Sequence, residues 1–275
     1  MPTLDAGLNH YGAHARQAFA GTSAIELCLG ADRRAFTVRV ADEQSRRVEA
    51  HRLVDRMYSR RGYETGFIGK VDSGHRMTFV ASDAGEALGT LTLGLDSRDG
   101  LLADAMYGEE INAVRAQGRS VCELTKLAVD LDDGSKRVLA SLFHTAYIYG
   151  RLINRVTDVF IEVNPRHAPF YRRMLGFVQA GPERSCPRVN APAVLLRLEL
   201  EHCDSEIARC GGQGGVNPTG RSLYPYFFSK HEEEGIARRL MGLHRDDVTL
   251  GQILPQRQHA APWHAHAAPR HALAS

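Results

Sequence analysis

The chain has 275 residues, 43% hydrophobic and 24% charged, the composition of a globular protein with room for one large domain and an appendage. Its 34 basic and 32 acidic residues leave a formal net charge of +2, so the basic excess of a general nucleic-acid binder is missing. The cysteines Cys28, Cys122, Cys186, Cys203 and Cys210 are odd in number with no CxxC pair, MPTLDAGLNHYGAHARQ has no apolar signal core, and no run nears the ~20 apolar residues of a membrane span, which predicts a cytoplasmic protein without disulfides or a structural metal.

Residues 1–34 are mixed and rich in Gly and Ala, and read as an N-terminal extension. AFTVRVADEQ (35–44) alternates apolar and polar residues, the period of a half-buried strand. In SRRVEAHRLVDRMYSRR (45–61), Val48, Leu53, Val54 and Met57 recur at helical spacing, which predicts a strongly basic amphipathic helix. HRMTFVAS (75–82) and EALGTLTLGLD (86–96) are strands, and the short link Asp83-Ala84-Gly85 makes them a hairpin. A helix is expected over 103–116, ending near Gly118. SVCELTKLAVD (120–130) is the strongest buried-strand candidate. Asp132, Asp133, Gly134 and Ser135 punctuate it, and a helix follows over 136–153. DVFIEV (158–163) is a strand stopped by Asn164-Pro165, and a short helix then runs to Leu175. Gly176 closes that helix where a left-handed residue is favoured. Residues 177–181 and APAVLLRLEL (191–200) supply the last strands.

This order, β-α-β-β-α-β-α-β-α-β, mixes hairpins with crossover helices. The expected fold class is α/β in layers, a mixed central sheet flanked by helices, not a doubly wound parallel one. The domain is placed at 35–200. Residues 201–244 read as a C-terminal appendage with a Gly-rich break (210–220), an aromatic run (Tyr224, Tyr226, Phe227, Phe228) and a basic helix near 231–243. Residues 245–275, rich in His, Ala and Pro, are expected to be disordered.

LAVD (127–130) ends a strand and opens a helix. The next strand, DVFIEV, feeds Asn164, then Phe170-Tyr171, then Leu175-Gly176-Phe177. In order and spacing the segment 120–177 resembles the core of the GNAT acyltransferase superfamily. Arg52-x-x-x-Arg56-x-Tyr58, Glu123-Leu124-Thr125-Lys126 and VNPRHAPFYRRMLGF (163–177) narrow the likeness to N-acyl amino acid synthases of the FeeM type, relatives of acyl-homoserine-lactone synthases. The likeness covers about residues 35–200.

The resemblance implies a sheet splayed between two parallel strands, with a phosphopantetheine arm lying in the opening like an added strand. The backbone of Leu127, Ala128 and Val129 would hold the arm and face the developing oxyanion with an N–H, and Asn164 and Phe170 would flank it. One departure bears on the donor. Where acetyl-CoA-dependent members carry a Gly-rich pyrophosphate loop, this chain has DLDDGSKRVLAS (130–141), with one glycine and two extra carboxylates, Asp132 and Asp133. That leaves a place for a single phosphate at Ser135, Lys136 and Arg137, which favours the acyl-phosphopantetheine of acyl carrier protein over acyl-CoA, with no tightly bound cofactor. Arg46, Arg47, Arg52, Arg56, Arg60 and Arg61 offer charge complementary to an acidic carrier protein, and Arg52, Arg56 and Tyr58 are expected to bind the donor or a carboxylate.

Glu123 lies among apolar residues of a central strand, where a carboxylate is costly unless paired or used. The functional reading is a base that deprotonates the attacking amine. The structural reading is an ion pair with Lys126 or an arginine of the first helix. Tyr171 is the expected acid for the leaving thiolate, although it stands one residue too far from Gly176 for the usual pattern, so that Phe170 or Arg172 competes for that position. His167 reads as a proton relay or an exposed helix-start residue, and Cys122 as a small buried residue. Gly215–Ser222 mimics a P-loop but lacks the flanking strand and helix, and reads as a linker. His259, His264, His266 and His271 have no scaffold to hold a metal. The function expected is transfer of a long acyl group from acyl carrier protein to an amino acid amine. The alternatives are an acetyl-CoA N-acetyltransferase, an acyltransferase of a related autoinducer system with another amine, and a non-catalytic carrier-protein-binding module.

Overall fold

The structure, a computed structural model, describes residues 25–27, 36–42, 44–63, 75–130, 135–214 and 221–241. In chain order the elements are β1 (Ile25–Leu27), β2 (Phe36–Val40), α1 (Gln44–Ser59), β3 (Arg76–Asp83), β4 (Glu86–Leu95), α2 (Asp104–Arg115), β5 (Val121–Val129), α3 (Ser135–Tyr147), β6 (Asp158–Val163), α4 (Ala168–Leu175), β7 (Val178–Gln179), β8 (Arg184–Cys186), β9 (Ala191–Glu199), α5 (Leu200–Cys210) and α6 (Lys230–Leu240). The strands form one sheet in the order β1-β2-β3-β4-β5-β6-β9-β7, with β8 also on β9. Its pairings are antiparallel except between β5 and β6.

The mixed, layered sheet expected from the sequence is present, and the structure adds three elements to the expected order. β1, in the segment read as an extension, pairs with β2. β8 makes a hairpin with β9. α5 begins at Leu200, where a strand was expected to end. The helix expected over 136–153 changes character: α3 ends at Tyr147 and a π-helical turn, Ile148–Ile153, continues it.

Period-two alternation along β5 sorts the core into two layers. Cys122 and Leu124 face a cluster with Val138 and Leu142 of α3, Met174 and Leu175 of α4, and Ile207 of α5. Val121 faces the opposite layer, with Tyr107 and Ile111 of α2, Phe160 and Leu195. On α1, Leu53, Val54 and Met57 meet Ala128, and each such side chain contributes about 1.5–3 kcal/mol when fully buried. Close approach of α3 to the sheet needs Gly89, since a Cβ there would lie 2.9 Å from Val138 Cγ1 and 3.1 Å from Leu142 Cδ1. The stop at Gly176 is as expected, a left-handed cap with φ 84° whose N–H bonds to Arg172 O.

The described residues after 199 are sewn to α3. His144 lies between the rings of Phe227 and Phe228, at 4.7 and 4.9 Å. Its Nδ1 accepts the Phe228 N–H at 2.8 Å, which leaves Nε2 to donate to Glu233 Oε2 at 3.0 Å. α6, expected to be basic, opens instead on glutamates: Ser229 and Glu232 form a reciprocal capping box, and the arginines come in the last turn. Among the described residues no helix is long and apolar enough to cross a membrane. The P-loop-like stretch 215–220 and the histidine-rich tail lie outside the described residues.

Candidate active site

The parallel pair β5–β6 is short. Val121, Cys122 and Glu123 pair with Asp158, Val159 and Phe160, and there the pairing stops, although β5 runs on to Val129 and β6 to Val163. A bulge in β5 sits just beyond that point. Thr92 faces Thr125 and Thr90 faces Ala128, so β5 carries an extra residue, and Lys126 takes φ 53°. Such an insertion bends the bulged strand, here away from β6. Past Glu123 the inner edge of β5 has no strand partner among the described residues, an arrangement that needs a bonding partner from elsewhere.

A cavity of about 440 Å3 fills this gap and passes through the sheet. It is walled by Phe143, Phe170 and Tyr171 from the α3–α4 layer, and by Leu102 and the β8–β9 hairpin from the other. Of the residues expected to bind the thioester arm, Leu127, Ala128, Val129, Asn164 and Phe170 line it, as do Tyr58, Tyr171 and His167. Asn164 also caps the turn that follows, its side chain accepting the Arg166 N–H. Ser135, Lys136 and Arg137 open α3, and Lys136 and Arg137 do not line the cavity. The loop with Asp132 and Asp133 is outside the described residues. Arg52 is exposed on α1 and off the wall. Arg56 binds Asp130 at 2.6 Å, with Arg60 at 3.5 Å from the same carboxylate, so α1 is tied to the end of β5.

The two tyrosines are protonated donors. Burial pushes the Tyr58 phenol up to about 12, with Tyr63 adding and Arg61 opposing. Burial likewise raises Tyr171 well above the usual phenol range, with Tyr58 adding. Tyr171 is held edge-on by Phe143, Phe170 and Phe177. Burial and the nearby Arg166 and Arg61 lower His167, which keeps its ring neutral. Burial also raises the Cys122 thiol far above its ordinary range, with Glu123 adding.

Glu123 is not on the cavity wall. Its carboxylate is buried, paired with Arg76 of β3, and accepts the N–H groups of Leu102 at 2.8 Å and Ala103 at 3.0 Å. In place of a base aimed at an amine, the structure has a carboxylate with both oxygens engaged. Its ion-pair partner is Arg76, not Lys126 or an arginine of α1. Two charged residues that do line the cavity escaped the sequence reading. Glu162 of β6 pairs with Arg188 of the β8–β9 turn, and Arg188 Nη1 also donates to Leu102 O at 2.9 Å. Burial lowers the Arg188 guanidinium, with Glu123 opposing and Arg76 adding. Alternation in DVFIEV places Glu162 on the face of Phe160, which was the available signal. Arg188 had none, because the hairpin that carries it was not foreseen.

Leu124 and Phe143 line both this cavity and a second, apolar void of about 30 Å3 beneath α3. Leu93, Gly150, Cys203 and Phe227 are among the other residues that line that void.

The family model for the N-acyl amino acid synthase FeeM matches residues 49–199, more than half of the 275. The chain belongs to the FeeM N-acyl amino acid synthase family. No curated protein matches the sequence. Among solved structures, FeeM, an N-acyl amino acid synthase from uncultured soil microbes, is 26% identical with a TM-score of 0.57, over 64% of this chain and 96% of its own. An acyl-CoA N-acyltransferase from Pseudomonas aeruginosa is 15% identical with a TM-score of 0.42, over 59% and 97%. The acyl-homoserine-lactone synthase LasI is 16% identical with a TM-score of 0.43, over 61% and 91%. The fold is GNAT-like and the chain is an N-acyltransferase of this synthase family.

Proposed function

We propose that this synthase moves a long-chain acyl group from the phosphopantetheine thioester of acyl carrier protein to the amine of an amino acid, in the cytoplasm. The observation that carries the reading is the through-sheet gap. A thioester arm entering between β5 and β6 finds unpaired backbone beside Leu127, Ala128 and Val129, and an amine reaches the same carbonyl from the other face. The second void points the acyl chain past Leu124 and Phe143 into apolar surroundings, where each buried methylene contributes about 0.8 kcal/mol.

In the reaction the amine nitrogen bonds to the thioester carbonyl carbon, and a β5 N–H near Val129 stabilises the oxyanion. The C–S bond then breaks, and the protonated Tyr171 phenol serves the departing sulfur. Glu123 acts from behind, fixing Leu102 and Ala103. Support for the carrier protein as donor comes from the single glycine of 130–141 and from the exposed arginines of α1.

The full chain incubated with matched long-chain acyl carrier protein or acyl-CoA and a mixture of the twenty amino acids is read by mass spectrometry. The expected result is an N-acyl amino acid, formed faster from the carrier protein. Acetylated product from acetyl-CoA with none from the long-chain donors would overturn the reading.

A further inference from the structure

The far wall of the gap is built around charge. Glu162 is two residues past Phe160, the last residue of β6 paired with β5, so its carboxylate stands where those two strands have parted. Its side chain is 11% exposed, yet Glu162 Oε1 is buried with no hydrogen-bond partner among the described residues, and so is Thr125 Oγ1 of β5, which lines the same cavity. An orphaned buried oxygen is costly and is free to accept from a donor that enters the cavity. Arg188 stands against Glu162, and its other end is anchored to the Leu102 carbonyl. Leu102 is in turn fixed by Glu123 through its N–H. The remaining wall at this end, Val189, Ala191, Pro192 and Ala193, is apolar.

We infer that Glu162 and Arg188 are the acceptor subsite, taking an α-amino acid with an apolar side chain as its zwitterion. The inference rests on the synthase reading above and specifies its second substrate. Arg188 binds the carboxylate and Glu162 binds the ammonium through its free oxygen. Opposite charges on substrate and site leave the buried cluster neutral, which a simple amine does not. In the reaction Glu162 takes one proton from the ammonium, the freed amine forms the C–N bond, and the C–S bond breaks. The Tyr171 proton leaves with the sulfur as thiol and the second nitrogen proton restores the phenol, so the products are amide, thiol and the proton held on Glu162, which passes to solvent. Glu162 is thus a catalytic residue, and Arg188 sets specificity.

The test compares L-phenylalanine and L-leucine with 2-phenylethylamine and isoamylamine, which lack only the carboxylate, using long-chain acyl carrier protein as donor. Wild type should prefer the amino acids. Arg188→Met should raise KM for them about 10–100-fold, well beyond any change shared with the amines through Glu162, so that the preference collapses. Glu162→Gln should lower kcat for acids and amines alike. If Arg188→Met does not fold, Arg188→Lys keeps a cation without the fork, and the preference should still shrink through KM. A variant at Arg188 that retains the wild-type preference, or a wild type that acylates amines as well as acids, overturns the subsite. Absence of any N-acyl amino acid from wild type with the full mixture is a different failure, that of the synthase reading itself.

Discussion

Replacing Glu123 by Gln tests whether this carboxylate is a structural anion at the closed end of the gap. Arg76 and Glu123 have side-chain exposures of 5% and 2%. Two nitrogens of Arg76, Nε and Nη1, have no hydrogen-bond partner among the described residues even with Glu123 in place. The variant leaves that cation facing a neutral amide, and the amide's own N–H groups point at donors, since Arg76, Leu102 and Ala103 all donate here. Breaking one side of a buried pair costs about 3–5 kcal/mol. For a domain of this size each kcal/mol moves Tm by about 2–4 °C, so the expected fall is roughly 6–20 °C. Because unpaired charge is the cause, the double variant Arg76→Met, Glu123→Leu should recover most of the loss, as apolar replacements of buried pairs do. Thermal unfolding followed by circular dichroism reads both. In the folded Glu123→Gln protein, KM for the amino acid should rise more than kcat falls, because the Leu102 carbonyl that anchors Arg188 loses its own anchor. A single variant as stable as wild type, or a double variant no better than the single, refutes the reasoning.

Asp158, at 0% side-chain exposure, accepts from Arg119 at 2.6 Å, Thr157 at 2.6 Å and Arg197 at 2.8 Å. Burial pushes its carboxyl up, but these donors outweigh it and hold it below the usual range. With the folded value below the unfolded one of about 3.9, its stabilisation is full above the unfolded value and is lost as pH falls through the folded value. Asp158→Asn should therefore lower Tm at pH 7 and weaken the fall in Tm on acidification below about pH 4, measured by pH-dependent melting. Gly150 borders the small apolar void, and a Cβ there meets only Leu93 at 3.8 and 3.9 Å. Gly150→Ala should stabilise by about 0.4–1 kcal/mol and shift the product spectrum toward shorter acyl chains. Unchanged chain lengths would separate the void from the acyl path.

The two strands that part were legible because SVCELTKLAVD and DVFIEV each carry a strong local pattern, whereas the gap between them was implied by the resemblance to the GNAT core. α5 was lost because half of its apolar stripe, Leu200, Cys203, Ile207 and Cys210, is cysteine, and because strand-like APAVLLRLEL runs into it. β8 has three residues, too few for a period. The bulge at Lys126 was invisible because a glycine would advertise a positive φ and lysine does not. The partner of Glu123 was beyond reach for a different reason. Arg76 is 47 residues away, and only the β3-β4-β5 order, with Gly94 leaving space between them, brings the pair together. A Cβ at Gly94 would stand 3.1 Å from Arg76 Nη1 and from Glu123 Cγ.

The gap persists because each parting strand is held on its outer side. β5 stays paired with β4 out to Val129 opposite Gly89, and Asp130 beyond it is clamped by Arg56 and Arg60. β6 stays paired with β9 out to Val163 opposite Val194. Zipping the inner edges together would require expelling the extra residue of β5 or breaking one of those outer ladders. The open edge is therefore enforced by the rest of the sheet, at the cost of inner backbone groups left for a ligand. The charged pairs lie on either side of the point where the strands part: Arg76–Glu123 where they still pair, Arg188–Glu162 where they have parted, with the Leu102 backbone bonded to Glu123 and to Arg188. A rigid closed end thus positions the polar groups of the open one, and the extra residue at the bulge sets where one becomes the other.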